Sequence, residues 1–332
     1  MNISFTDTSN EKNRPWRLIS SALRKNTSIL LIYGIILVIG IWGSLFSESF
    51  RSMPNLVNIL RQSIIIGLIA IGQSMVVLTG GMDFTVAMVA RTTALIIATI
   101  FAWANSDSNL IIPLILLGVG IGVTLGWFNG LLVTYTHANP FVITFGIANI
   151  LRGIDLAITQ TPIRGIPTEY LKIYDASIGI VPINIIVIGF IWLAAWLFTT
   201  RTRPGRSLYA VGGSERIARL SAIRINRTLV MAYVLNGACA AAAGLFLLSR
   251  TGVGDPSAAE GMEFQSIVAV ALGGISLYGG KGSIIGTLGG VLLIALLWNV
   301  FNLVRVDIYY QQLLLGLVVL IAVAAYKSPR SV

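Results

Sequence analysis

The chain has 332 residues, 55% of them hydrophobic and only 11% charged, with a formal charge of +10. Soluble domains carry about 25% charged residues, so the composition excludes a water-soluble globule and a disordered chain. The positive charge marks either a polyanion partner or a membrane orientation, and its position decides.

A crossing helix needs about 20 apolar residues, and stretches without Asp, Glu, Lys or Arg provide ten candidates. Residues 1–27 form a basic tail with no signal-peptide pattern. The candidates then run 26–47, 62–82 and 84–106, the last interrupted by Arg91. Residues 110–151 hold two spans, folded at the Asn139-Pro140 turn signal. The remainder are 176–200, 228–249, 264–280, 282–304 and 308–326. The predicted fold class is all-α: a polytopic membrane protein of about ten transmembrane helices, some broken, with a candidate internal repeat. The membrane domain is 28–326, with a C-terminus at 327–332.

Lys12, Arg14, Arg17, Arg24 and Lys25 lie in the tail, and Lys327 and Arg330 at the C-terminus. Arg201, Arg203, Arg206, Arg216, Arg219, Arg224 and Arg227 lie between spans six and seven. Even numbers of spans separate the three basic segments, which places them on one side. By the positive-inside rule that side is the cytoplasm, with both termini there and no nucleic-acid partner. Segments 160–179 and 250–263 lie outside, as docking surfaces or as connectors.

Gly118, Gly122, Gly126 and Gly130 recur every four residues, as do Gly282, Gly286 and Gly290. Such stripes let helices approach closely, so helix packing is their expected role. The two stripes lie five spans apart, the spacing of an inverted repeat. Residues 76–82 also resemble 269–275, in spans two and eight. Each of these segments contains a Gly-Gly pair (Gly80-Gly81 and Gly273-Gly274), expected at a buried helix break or beside a cavity.

One cysteine, Cys239, and one histidine, His137, exclude a disulfide framework, a cysteine metal cluster and a multi-histidine metal site. Asp83, Arg91, Arg152 and Asp155 are the ionisable residues within spans. Arg152 and Asp155, three apart, are expected to pair. Asp83 is expected to cap the following half-helix or to serve a pathway. Arg91 is a candidate for an anionic substrate, or it snorkels. Gln73, Thr85, Asn129, Asn149, Gln265, Trp298 and Asn299 are further pathway candidates, against a role in interhelical hydrogen bonding. No catalytic cluster is evident. The segment 274–282 fails the phosphate-loop spacing at both ends, so ATP hydrolysis belongs to a separate subunit. In the loop 200–227, Ser214 is placed to cap a short helix, Glu215-Arg216-Ile217-Ala218-Arg219-Leu220, suited to a protein groove or to lipid headgroups.

Four stretches carry a family resemblance: LTGGMDFTVA at 78–87, PFVITFGIANILRG at 140–153, RTRPGRSLYAVGGSERIARLSAI at 201–223 and GGISLYGGKGSIIGTLGG at 273–290. Together they resemble the ribose/galactose/xylose-type permease subunits of bacterial ATP-binding-cassette sugar importers. The resemblance implies a multi-pass inner-membrane permease paired with a second permease copy or paralogue. It also implies a periplasmic sugar-binding protein and a cytoplasmic ATP-binding subunit that carries the ATP and Mg. This chain would hold no cofactor and no metal of its own, and membrane lipid would surround it. Residues Ser214 to Leu220 fall on the family's coupling helix. Departures include Phe84, Thr85 and Ala87 in the first stretch and Ser214, Ile217 and Ala222 in the third. With Arg91 they leave the substrate open: a monosaccharide, an acidic or modified sugar, or a branched-chain amino acid. An ion-coupled sugar carrier is the more distant alternative.

Overall fold

The computed structural model describes residues 27–325. The cations of the tail (Lys12, Arg14, Arg17, Arg24, Lys25) and of the C-terminus (Lys327, Arg330) lie outside the described residues.

The chain is almost entirely helical. Helices α1 (Thr27–Phe46), α2 (Met53–Leu78) and α3 (Val86–Trp103) are followed by α4 (Ile111–Thr136) and α5 (Pro140–Ile158). A short helix α6 (Thr168–Asp175) and a hairpin of β1 (Ser177–Ile178) and β2 (Val181–Pro182) lead into α7 (Ile183–Arg201). The basic loop holds α8 (Arg203–Gly213) and α9 (Glu215–Leu220). The chain closes with α10 (Ile225–Thr251), α11 (Met262–Leu272), α12 (Ile284–Leu303) and α13 (Ile308–Ala325).

Among the described residues, α2, α3, α4, α5, α7, α10 and α12 are long and apolar enough to cross a membrane, seven helices in all. Of the about ten helices expected, some broken, α11 is a short one. Its 11 residues rise about 16 Å, half the thickness of a hydrocarbon core of about 30 Å. Gly274, at φ +84°, stops the helix early.

Local chemistry sets the other boundaries. Ser52 caps α2 by accepting the Asn55 N–H at 3.4 Å, with Pro54 in the first turn, so α2 begins well before the stretch that Arg61 delimits. His137 in the left-handed region ends α4, and Asn139 caps α5 by accepting the Phe141 N–H at 2.9 Å. The predicted turn is therefore built as expected. Span six starts later than predicted, because Gly179 (φ +61°) turns the hairpin and Pro182 precedes the helix.

Helix α10 is the centre of the bundle, packed against α4, α2 and α3. Its closest seam is with α4. A Cβ on Gly122 would meet the Gly237 carbonyl, and one on Gly126 the Tyr233 carbonyl. Gly118 faces Leu245 and Gly130 faces Val230, so all four glycines of the stripe lie in this seam. The second stripe lies against α11 and the segment after it: Gly286 abuts Gly273, Gly290 abuts Ala269, and Gly282 abuts Ile275.

Away from the basic loop, the two long connections meet. Ile163 and Gly254 exchange backbone hydrogen bonds of 2.8 and 2.9 Å. Tyr170 of α6 donates its hydroxyl to the Leu245 carbonyl at 2.9 Å, and Ser249 donates to the Tyr170 carbonyl at 2.7 Å.

Candidate functional site

Between α2 and α3 the chain leaves the helix for residues 79–85, and the first polar cluster is built around that break. The Asp83 carboxylate is 1% exposed. Its Oδ1 accepts the Thr85 N–H at 2.8 Å and the Thr85 hydroxyl at 2.6 Å, and its Oδ2 accepts the Asn236 amide at 2.9 Å. Asn129 of α4 donates to Thr85 Oγ1 at 2.7 Å, and Asn236 also reaches Gln73 of α2 at 3.4 Å. Asp83 thus ties off the N-terminus of α3 and joins four helices using neutral donors. The structure brings Gln73, Asp83, Thr85 and Asn129 together. Asn236 was not among the expected residues, although it carries the same signal as Asn129, a lone amide in an apolar stretch.

The second cluster lies two turns further along α3. Arg91 Nε donates to Asp155 Oδ2 at 2.7 Å, and Thr92 Oγ1 donates to Asp155 Oδ1 at 2.7 Å. The Arg91 side chain is 2% exposed and that of Asp155 fully buried. The expected Arg152–Asp155 pair is not made. Asp155 shares the buried face of α5 with Thr144, Ile147, Ala148 and Leu151, where Arg91 meets it. Arg152 points outward, 3.5 Å from Glu260.

The remaining candidates stand apart. Asn299 makes a reciprocal amide pair with Asn55, at 2.7 and 3.0 Å, joining α12 to the start of α2. Trp298 packs edge-on to Phe301 beside an apolar cavity between α11, α12 and α13. Asn149 is on the exposed face of α5, its amide donating to the Phe145 carbonyl at 2.8 Å. That face is aromatic. Phe145 stacks on Phe141 with centroids 5.7 Å apart, and Phe84, at the break, meets Phe141 and Phe264 edge-on at 5.0 and 5.6 Å. These four rings were not anticipated, because a Phe in an apolar span reads as ordinary core.

The basic loop is seated on the break. Thr202 caps α8 by accepting the Gly205 N–H at 3.1 Å. Ser214 caps α9 by accepting the Ile217 N–H at 3.3 Å. Ala218 is buried, whereas Ile217 is 65% and Leu220 82% exposed. Arg216 shares their exposed arc, while Glu215 and Arg219, one turn apart, line a polar cavity of about 430 Å³ with Gly80, Gly81 and Tyr233. At the root of α9 three backbones touch. The Gly280 N–H donates to the Leu78 carbonyl at 2.9 Å. A Cβ on Gly212 would meet that carbonyl, and one on Gly279 or Gly280 would meet Gly80, Gly212 or Gly213.

Helices α2, α9 and α11 end in one pattern, a residue of positive φ with paired return hydrogen bonds. In α2, Gly80 N–H bonds to Val77 and Gly81 N–H to Val76; in α11, Gly274 bonds to Ala271 and Ile275 to Val270. In α9, Ala222 bonds to Arg219 and Ile223 to Ala218. The geometry pairs Gly80 with Gly274, one position away from the sequence match of 76–82 with 269–275.

Compared with known proteins, residues 55–323 match a family model described as branched-chain amino acid transport system / permease component. The chain belongs to this permease family. The permease is 41% identical over 286 residues to the ribose import permease protein of Bacillus subtilis (strain 168), which covers 84% of this chain and 87% of that one. It is 33% identical over 289 residues to the D-allose transport system permease protein of Escherichia coli (strain K12), covering 87% and 88%. It is 30% identical over 311 residues to the fructose import permease protein of Rhizobium meliloti, covering 90% and 85%. These are the kind of protein to which the four motifs pointed. No solved structure matches the chain.

Proposed function

We propose that the permease is the membrane-crossing subunit of an ATP-binding-cassette importer for a monosaccharide-type sugar. The observation that carries this reading is the set of relatives, named for ribose, allose and fructose, aligned over most of both chains. The site's geometry is compatible with it. Asn149 beside the Phe141–Phe145 stack offers a hydrogen-bonding amide next to apolar ring faces, the pairing that suits a sugar. The Arg91 charge is already matched by Asp155, which favours a neutral sugar over an acidic one. Gln73, Asp83, Thr85, Asn129, Trp298 and Asn299 line or brace the route in this reading.

The basic side is the cytoplasmic side of a bacterial inner membrane, with both termini there. The chain crosses ten times, α11 and the extended segment after it making one crossing together. Ser214 to Leu220 form the coupling helix, whose Arg216, Ile217 and Leu220 meet the ATP-binding subunit. That subunit holds ATP and Mg and does the hydrolysis, while this chain performs no covalent chemistry. The joined loops around Ile163 and Gly254 receive a periplasmic sugar-binding protein. A second copy or paralogue completes the pathway, which opens alternately to each side.

The test is reconstitution with an ATP-binding subunit and a sugar-binding protein in proteoliposomes. ATP-dependent uptake of D-ribose, D-allose or D-fructose is the expected result. Uptake of leucine instead would move the assignment to amino acids. Sugar uptake driven by a proton gradient without ATP would overturn it in favour of an ion-coupled carrier.

A further inference from the structure

Arg152 and Glu260 form an ion pair outside both buried polar clusters. Arg152 continues the aromatic face of α5. Phe141, Phe145, Asn149 and Arg152 follow at spacings of four, four and three residues, so they line one side of the helix, and all four are exposed. Glu260 reaches this line from the connection between α10 and α11, and its Oε1 stands 3.5 Å from an Arg152 Nη.

Depth makes this placement informative. Helix α5 runs on to Ile158, a further rise of about 9 Å. Ile154, Leu156 and Ile158 in that last stretch are exposed, so apolar surroundings continue beyond the arginine. A charged group at such a depth faces the protein interior or a water-filled space, not lipid. The Arg152 and Glu260 side chains are 55% and 59% exposed, so they are not in the interior. Water therefore reaches this side of α5. The pair is also loose. Charge-assisted hydrogen bonds close to about 2.7–2.9 Å, as Arg91 and Asp155 do at 2.7 Å. At 3.5 Å this contact is the one side-chain hydrogen bond of either residue among the described residues. Most of the guanidinium fork and one carboxylate oxygen stay unused.

We infer, resting on the importer reading above, that Arg152 and Glu260 contact the sugar as it moves along α5, its hydroxyls taking the place of the ion pair. The Arg152 fork donates to neighbouring hydroxyls, and Glu260 accepts from others. The Asn149 amide and the Phe141–Phe145 stack come next along the same line, where the apolar side of the sugar meets the rings. Each charge is re-paired as the two separate, so neither is left bare. An anion would be held by Arg152 and repelled by Glu260, so the pair selects for a neutral molecule with several hydroxyls.

The test uses the importer assembled with its partners in proteoliposomes, cytoplasmic face inward, with ATP in the lumen. The chain carries Cys239→Ala, because Cys239 is its one cysteine, together with Arg152→Cys, Glu260→Cys or Ile150→Cys. Ile150 is 63% exposed but lies on the opposite side of α5 from Arg152. The Cys239→Ala chain first shows which of D-ribose, D-allose and D-fructose is imported; import of none would sink the importer reading and this inference with it. A charged methanethiosulfonate added outside is expected to react at positions 152 and 260 and to lower uptake about fivefold or more. The imported sugar is expected to slow that reaction, and position 150 to stay unreactive. In the parent chain, Arg152→Gln with Glu260→Gln is expected to lower uptake about fivefold with the melting temperature unchanged, and Arg152→Lys to keep most of it. Equal reaction at 150 and 152, full uptake after labelling, labelling indifferent to sugar, or full uptake by the double variant would overturn the inference.

Discussion

Asp83 and Asp155 are both carboxylates buried within the bundle, and they are compensated in different ways. Asp155 has a guanidinium, and removing one partner of such a pair strands the other charge at a cost of about 3–5 kcal/mol. Arg91→Gln and Asp155→Asn are therefore each expected to lower thermal stability in detergent markedly, and the double variant to lose less than their sum. Retention of a monodisperse peak in size-exclusion chromatography after heating measures this. Asp83 relies on neutral donors and on its place at the N-terminus of α3. Ala222 tells a further story at this scale. It occupies the left-handed position that closes α9, at φ +58°, a conformation that suits Gly better than Ala. A Cβ there costs on the order of 1 kcal/mol, so Ala222→Gly is expected to raise the melting temperature slightly with coupling intact. The residues of the first cluster were readable because polar groups are conspicuous in apolar spans. The partner of Asp155 was not, since Arg152, three residues away on the same helix, was the expected one until α5 was seen to turn Asp155 toward Arg91.

For the elements, helix α9 is the clearest case of one short segment with two unlike faces. Arg216, Ile217 and Leu220 form an exposed arc, whereas Glu215 and Arg219 face the cavity. Ile217→Glu with Leu220→Glu is expected to abolish sugar-stimulated ATP hydrolysis and uptake while the permease still folds. Glu215→Gln is expected to reduce them far less, and ATPase assays on the reconstituted importer decide. Ser214 as cap and the Gly-Gly break were legible, but α8 was not, because Pro204 and Gly205 read as loop residues until Thr202 is seen capping them. Counting charge-free stretches placed every long helix. It misplaced the start of α2, where Arg61 lies inside a helix, and the start of α7, where an apolar hairpin passes for a span.

For the whole molecule, the α4–α10 seam holds the bundle at its middle. Gly126→Val would drive a side chain into the Tyr233 backbone, and is expected to eliminate folded permease from detergent extracts. Gly120→Val is the control, since none of the described residues lies within 4 Å of a Cβ there; it should extract like the parent chain. The four-residue glycine spacing pointed to such a seam, though not to α10 as its partner, because α10 carries a single matching glycine, Gly237, in an alanine-rich run.

The meeting of Gly212–Gly213 with Leu78–Gly80 and Gly279–Gly280 limits how this protein can be re-engineered. Residues 201–227 look like a detachable adaptor that could be exchanged to suit another ATPase. Their root, however, is shaped to three backbones from distant parts of the chain, and a donor loop with any side chain at position 212 would not seat. A working chimera must therefore transplant a discontinuous unit, the loop together with 78–81 and 278–282, and compatibility between permease and motor would be inherited as that set.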